Sequence, residues 1–332
     1  MAVRIGINGF GRIGRFITRL LAGDPEYTVV GINARADNET LAHLLKYDSV
    51  HGIFSGQVEA NEKGLLVEGE QIHVTNSSPG EWKWGELGAD VVLETTGKFK
   101  DRDSCEKHLQ CGAKKVLISA PGKGSDFTAV MGVNDDQLSE KHNIISNASC
   151  TTNCMAPAIQ VINDEFGVLQ GNMSTVHSYT MSQRILDGSH KDLRRARAAA
   201  MSIIPTTTGA AKAVEEVIPD LKGKLSGMAI RVPTPNVSLV DLNLDLQKET
   251  SEQEINSALK HASQGSLKGI LGYSEEPLVS VDYVGSQYGG VVDSLTTTVT
   301  NGTLVKLIVW YDNESGFAHQ LLRLANKVSA FL

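Results

Sequence analysis

A chain of 332 residues exceeds what one ordinary hydrophobic core supports, and domains of roughly 100–200 residues make two the expectation. Hydrophobic residues at 41% and charged residues at 21% fit a globular protein, not a disordered or fibrous one. A net charge of −7 argues against general affinity for nucleic acid or anionic membranes, so an anionic substrate must be drawn by local positive charge.

The opening MAVRIGINGFGRIGR does not read as a signal peptide, since Arg4 interrupts a short apolar run and glycines follow. No stretch approaches the roughly 18 apolar residues of a membrane helix. Four cysteines in a chain of this length do not make a disulfide framework. A reducing, cytoplasmic setting with free thiols is expected.

Val3–Asn8 reads as a strand, and residues 12–22 place Ile13, Phe16, Ile17, Leu20 and Leu21 on one helical face before a stop at Gly23. Strands are expected at 28–33, Val91–Glu94, 115–119 and 128–132. Strand, helix, strand in this order predicts a doubly wound parallel α/β sheet. A further strand at 144–147 leads to a helix at 151–163. Beyond it, Leu242, Leu244 and Leu246 alternate with Asp241, Asn243 and Asp245, the period of a strand with one buried face. Residues 296–300, Asn301-Gly302 and 303–310 read as a hairpin on a tight turn. This second domain is expected to be α+β with a mostly antiparallel sheet. From Gly316 on, an amphipathic helix carries Leu321, Ala325, Val328 and Leu332 on its apolar side. With no repeat or long linker, the two domains are expected to pack closely around the active site.

Gly9-Phe10-Gly11-Arg12-Ile13-Gly14 is G-x-G-x-x-G between a predicted strand and a predicted helix, the context in which glycines let a pyrophosphate approach a helix N-terminus. At the end of the second strand an acidic residue usually binds the adenosine ribose. Here the segment is Asn33-Ala34-Arg35, with no carboxylate and an arginine that can pair with a 2′-phosphate. This points towards NADP or use of both cofactors; the alternative is that Arg35 faces solvent and Asn33 holds the ribose of NAD.

Cys150 falls at the start of the 151–163 helix, where the dipole and free N–H groups favour a thiolate and an oxyanion. Cys154, one turn deeper, is expected in the core, and Cys105 and Cys111 carry no motif. A Cys150–Cys154 metal pair lacks a second ligand pair, and no metal site is expected. Thr206-Thr207-Thr208-Gly209 precedes a predicted helix, Ala210–Val217, so hydroxyls and N–H groups converge on an anion.

Asn8–Arg15, Ser146–Asn153, His177-Ser178-Tyr179-Thr180, Arg231-Val232-Pro233-Thr234-Pro235-Asn236 and Tyr311-Asp312-Asn313-Glu314 together resemble the phosphorylating glyceraldehyde-3-phosphate dehydrogenases, in register from Val3 to the final helix. The resemblance implies a Rossmann-type domain (1–149, joined by the C-terminal helix 313–332) and a catalytic domain (150–312). It implies Cys150 as nucleophile and His177 as its activator and proton shuttle. Ser149, Thr151, Thr180, Thr208, Gly209 and Arg231 are implied holders of substrate phosphate and inorganic phosphate. Arg195 is chosen from the run Arg194-Arg195-Ala196-Arg197; for Arg194 and Arg197 a solvated face or subunit contact is as good a reading. Gly9, Gly11, Arg12, Ile13, Gly14, Thr96, Gly97, Ser119 and Asn313 are implied cofactor contacts, Asn313 at the nicotinamide amide.

Three positions depart from the commonest family pattern: Ala34, Ser189 and Ser315. Ser189 resembles the NADP-using members, in whose tetramers this loop reaches a neighbouring subunit's adenosine site. With Ala34 it supports NADP or dual use; Ser315 has no sequence-level account. The implied reaction converts D-glyceraldehyde 3-phosphate, inorganic phosphate and NAD or NADP to an acyl phosphate, in a homotetramer without nucleic-acid or membrane partners. The alternatives are erythrose-4-phosphate dehydrogenase, releasing an acid, and a binding protein that has lost catalysis. The presence of Cys150 and His177 argues against the latter.

Overall fold

The computed structural model describes residues 2–332, which form two compact units. One comprises the chain up to Ala129 with Asp135–Ala148 and Leu321–Leu332; the other comprises Val130–Asn134 and Ser149–Gln320.

The first unit is built on a nine-stranded sheet. Its order is Phe127–Thr128, Ile144–Ser146, Lys115–Ile118, Val91–Glu94, Val3–Asn8, Tyr27–Asn33, Glu70–Thr75, Gly64–Val67, Val58–Asn61. Every pairing from Phe127–Thr128 across to Glu70–Thr75 is parallel, as expected for a doubly wound sheet. Its central strands are near-continuous apolar runs because both faces are covered; Ile5, Ile7, Val91 and Leu117 are fully buried. The far edge turns antiparallel at Gly64–Val67 and Val58–Asn61, which the sequence reading missed. Glu68 and Gly69, at φ 51° and 81°, supply the turn, and Gln71 and His73 alternate with Ile72 and Val74.

The strand expected at 128–132 is shorter: only Phe127–Thr128 pairs. Asn134 Oδ1 takes the Val130 N–H at 2.9 Å and Gly132 adopts φ 79°, so apolar Ala129-Val130-Met131 runs into a turn instead of a ladder. The chain crosses from one unit to the other there.

The second unit holds a seven-stranded sheet ordered Ile204–Thr207, Leu225–Val232, Val168–Ser178, Ser238–Leu246, Leu304–Tyr311, Gly290–Thr300, Leu271–Ser274. It is mostly antiparallel, as expected, with parallel pairing only of Val168–Ser178 with Leu225–Val232 and of Leu271–Ser274 with Gly290–Thr300. Val240, Leu242 and Leu244 are fully buried along Ser238–Leu246. Asn301 and Gly302, both at positive φ, close the predicted hairpin.

The helix Cys150–Phe166 lays Ile159 and Ile162 into the core and stops at Gly167, φ 72°. The last helix is Ser315–Ser329; Leu321, Ala325 and Val328 are fully buried. Leu332 does not join them, since it lies beyond the helix end and is 40% exposed. No helix among the described residues is long and apolar enough to cross a membrane.

Candidate active site

In the first unit, a cleft of about 350 Å³ opens at the carboxyl ends of the parallel strands. Gly9, Gly11, Asn33, Ala34, Arg35 and Thr96 line it, as do Ser77, Trp82, Lys98 and Phe99, which the sequence reading did not single out. Arg12, Ile13, Gly14, Gly97 and Ser119 are outside the lining. Arg12 pairs its guanidinium with Asp48, which also accepts the Val50 and His51 N–H groups. Burial opposes the Asp48 charge, but Arg12 and those N–H groups hold its carboxyl well below the usual range. Any contact from Arg12 to a pyrophosphate therefore falls to its backbone. Ser119 donates its hydroxyl to the Glu94 carbonyl at 2.9 Å.

The glycines divide by physical cause. A Cβ on Gly9 would lie 2.7 Å from Thr96, and one on Gly14 would lie 2.4 Å from the Gly9 carbonyl, so the fold itself requires both. A Cβ on Gly11 would meet nothing within 4 Å. Gly11 is the N-cap of the helix Arg12–Leu21, which has no side-chain cap and no acid in its first turn. An open approach to uncapped helical N–H groups is what a pyrophosphate needs, and the residues fit a dinucleotide.

Asn33 is fully committed within the protein. Its Oδ1 accepts from Thr75 Oγ1 at 3.0 Å and Ser77 N at 2.8 Å, and its Nδ2 donates to Asn8 Oδ1 at 2.9 Å. Ala34 is buried, whereas Arg35 is exposed at the cleft.

The second unit holds the thiol. Ser149 caps the helix, its hydroxyl accepting the Thr152 N–H at 3.1 Å and lying 2.7 Å from Thr152 Oγ1. Ala148, fully buried with φ 53°, makes the sharp turn into that cap. Cys150 is the first helical residue, half-buried, with Sγ 3.6 Å from His177 Nε2. Cys154 is fully buried against the Val309 carbonyl, and all four cysteines are free.

His177 is the penultimate residue of the strand Val168–Ser178. Its Nδ1 lies 2.7 Å from the Ser178 carbonyl and 2.8 Å from Arg231 Nη1, which itself donates to that carbonyl at 2.8 Å. Burial first, then Arg231, lowers the His177 pKa to about 3, so the ring is neutral at pH 7. Burial pushes the Cys150 thiol up; Arg231, the Thr151 hydroxyl and the helix-start N–H groups pull it down without prevailing. Burial thus works against the helix-stabilised thiolate expected from the sequence, while Arg231 and the helix-start N–H groups work for it.

Arg231 Nε is buried with no hydrogen-bond partner, an orphaned donor suited to an anion. Arg195 donates to Thr206 Oγ1 at 2.8 Å and the Thr207 carbonyl at 3.1 Å, and its charge lowers the pKa of both His177 and Arg231. Arg197 instead pairs with Asp187. Thr208 Oγ1 accepts from Ala210 N at 3.2 Å, at the start of Ala210–Val217, whose N-cap Gly209 is exposed. Thr180 is half-buried, its hydroxyl 2.9 Å from Ser182 Oγ. Thr151 is buried, its hydroxyl 2.9 Å from Tyr311 Oη. Tyr311, which the sequence reading gave no role, also reaches Thr175 Oγ1 at 2.8 Å and sets its ring edge-on to His177. Asn313 Oδ1 accepts the Ser178 and Ser238 hydroxyls at 2.8 and 2.9 Å, leaving its amide nitrogen to donate. Asp312 caps the last helix through the Glu314 and Ser315 N–H groups and accepts Asn236 Nδ2 at 2.9 Å, which explains Asn236. Ser189 is exposed, and its carbonyl holds Arg184.

Residues 3–102 match the model of the glyceraldehyde 3-phosphate dehydrogenase NAD binding domain, and residues 149–313 match that of its C-terminal domain. The chain belongs to the glyceraldehyde-3-phosphate dehydrogenase family. It is 57% identical over 99% of both chains to the glyceraldehyde-3-phosphate dehydrogenase of Geobacillus stearothermophilus. It is 56% identical over 98% of both chains to glyceraldehyde-3-phosphate dehydrogenase 1 of Bacillus subtilis. Glyceraldehyde-3-phosphate dehydrogenase 2 of a Nostoc species is 52% identical over 98% of both.

Proposed function

We propose that this chain oxidises and phosphorylates D-glyceraldehyde 3-phosphate to 1,3-bisphosphoglycerate, taking NADP as well as or in preference to NAD. The observation that carries the reaction is the 3.6 Å contact between Cys150 and a neutral His177 beside Arg231. The thiol proton passes to His177 Nε2 as sulfur attacks the aldehyde carbon. Backbone N–H groups at the helix start hold the resulting oxyanion. The bound nicotinamide supplies the hydride acceptor. His177 returns the thiol proton to the oxyanion, giving the thiohemiacetal hydroxyl, and takes it back as the hydride leaves; a thioester remains on Cys150, and inorganic phosphate displaces the thiolate. Arg231 and Arg195 hold the substrate's phosphate, and Thr208, Gly209 and the Thr151 backbone N–H hold the attacking one, with Ser149 and Thr180 beside them; the Thr151 hydroxyl is taken up by Tyr311.

In phosphate-free buffer the enzyme is expected to release a burst of about one reduced cofactor per site and then stall, with turnover restored by added phosphate. Rapid-mixing absorbance measures this. Sustained phosphate-independent turnover to the acid would sink the reading in favour of an erythrose-4-phosphate-type hydrolysis.

The cofactor preference is supported by the cleft lining, where Arg35 and Lys98 are the charged residues and no carboxylate stands against a 2′-phosphate. Ala34→Asp is expected to lower kcat/KM for NADP about 10–100-fold, the scale of losing a favourable contact to a charged group, and to raise that for NAD. An unchanged ratio of the two kcat/KM values would refute the preference. We also propose a homotetramer. Met181, Ile185, Leu186, Leu193, Met201 and Ile203, all at least 69% exposed, form an apolar segment that supports self-association, and it carries Ser189.

A further inference from the structure

Behind the dinucleotide cleft lies a chain of buried polar side chains that no role above uses. Trp84 and His108 are fully buried, and Glu94 and Asn8 are 1% exposed. Trp84 Nε1 donates to His108 Nδ1 at 2.9 Å. An indole only donates, so Nδ1 presents a lone pair and the ring proton sits on Nε2, 3.2 Å from Glu94 Oε2. A second proton on the ring would face the indole N–H, so the imidazole is neutral. Trp82, which lines the cleft, stacks on that ring with centroids 3.8 Å apart.

Glu94 gathers the cleft's loops. Oε2 also accepts Asn8 Nδ2 at 2.5 Å, while Oε1 accepts the Thr96 N–H at 2.8 Å and the Thr96 hydroxyl. Four donors on two oxygens require a carboxylate. Asn8 passes the order on, since its Oδ1 accepts from Asn33, and Asn33 holds Ser77 N. Thr96 is also the surface on which Gly9 sits, with no room for a Cβ. One buried carboxylate therefore holds, directly or through two amides, the segments at Asn8, Ser77 and Thr96, all of which line the cleft.

We propose that Trp84, His108 and Glu94 are positioning residues for the cofactor: the neutral His108 fixes the Glu94 carboxylate, which sets the glycine loop against the Thr96 segment before the dinucleotide arrives. This rests on reading the cleft as the dinucleotide site. Loops ordered in advance spare the cost of ordering them on binding, so loss of the relay weakens cofactor binding and leaves the thiol chemistry in place.

The test compares His108→Leu, which deletes both hydrogen bonds, with His108→Gln, whose amide can accept from Trp84 and donate to Glu94. Calorimetric titration with NAD and with NADP, and steady-state kinetics, read the effect. His108→Leu is expected to raise Kd and KM for both cofactors about tenfold, the scale of losing an outer-shell support, with kcat and the aldehyde KM moved less than twofold. His108→Gln is expected to recover most of the loss. A His108→Leu protein that melts lower but binds both cofactors as wild type does would overturn the proposal. Should that variant not fold, the isosteric Glu94→Gln is expected to weaken binding similarly, and unchanged Kd there overturns it too. Wild-type protein binding neither dinucleotide would remove the reading of the cleft and the relay with it; equal binding by wild type and variants removes the relay alone.

Discussion

Cys150→Ser is expected to lower kcat by about 10⁴-fold or more, the scale on which removing a nucleophile disables a coupled nucleophile and base. The loss corresponds to at least about 5 kcal/mol of transition-state stabilisation. Serine fits the position, because the helix start is set by the Ser149 cap and the turn at Ala148, neither of which involves the sulfur. What fails is chemistry. A hydroxyl ionises far less readily than a thiol, and burial already penalises the anion here. An oxygen ester would also yield more slowly to phosphate than a thioester. Cys154 is no substitute, since it is fully buried with its sulfur against the Val309 carbonyl and its thiol pushed well above the ordinary range. Dinucleotide affinity should stay near wild type, because no residue lining the cleft is altered. Turnover within tenfold of wild type, in protein shown by mass spectrometry to carry serine, would refute Cys150 as nucleophile.

Much of the frame was legible because burial writes itself into the residues. The central strands of the first sheet are covered on both faces and read as apolar runs; Ser238–Leu246 has one covered face and alternates. Asn301-Gly302 announced its hairpin through a backbone conformation few other pairs adopt. The edge strand Val58–Asn61 escaped because an edge is only partly covered, so its pattern is weak, and Gly64–Val67, though buried, is only four residues long. The 128–132 run misled for the opposite reason: its apolar residues are buried, but Asn134 and Gly132 bend the chain.

The site was legible in part. A thiol at a helix start and a glycine loop are local patterns, each contained in a dozen residues. His177 and Arg231 are adjacent only because Val168–Ser178 and Leu225–Val232 pair in parallel and bring the two residues side by side, a register no local spacing encodes. Tyr311 comes from yet another strand, and its partner Thr151 was read as a phosphate ligand before the buried hydroxyl pair was known. Ser315 remains without a structural account: it is fully buried at the first turn of the last helix with an unpartnered hydroxyl.

His177→Asn tests the neutral-imidazole arrangement, and its sign is fixed by the same burial that sets the ring's charge. In the wild type the thiol proton moves 3.6 Å to Nε2, and the imidazole is free to take it at any pH well above about 3. Without that acceptor the thiol must ionise towards solvent, against a burial that raises its pKa. At pH 7 kcat/KM is therefore expected to fall about 10²–10⁴-fold. The deficit should shrink tenfold per pH unit as pH rises, until the raised thiol pKa is passed. Stability should move the other way. The folded ring, at about 3 against an ordinary 6.5, leaves the proton to the unfolded chain between those values. Wild-type stability is thus complete above pH 6.5 and is lost as pH falls. Between pH 6.5 and 4 the wild type should lose roughly 3 kcal/mol more than His177→Asn, readable as a smaller acid-induced drop in denaturant midpoint for the variant. An unchanged pH–rate profile together with equal acid sensitivity would mean that His177 neither takes the proton nor is held neutral.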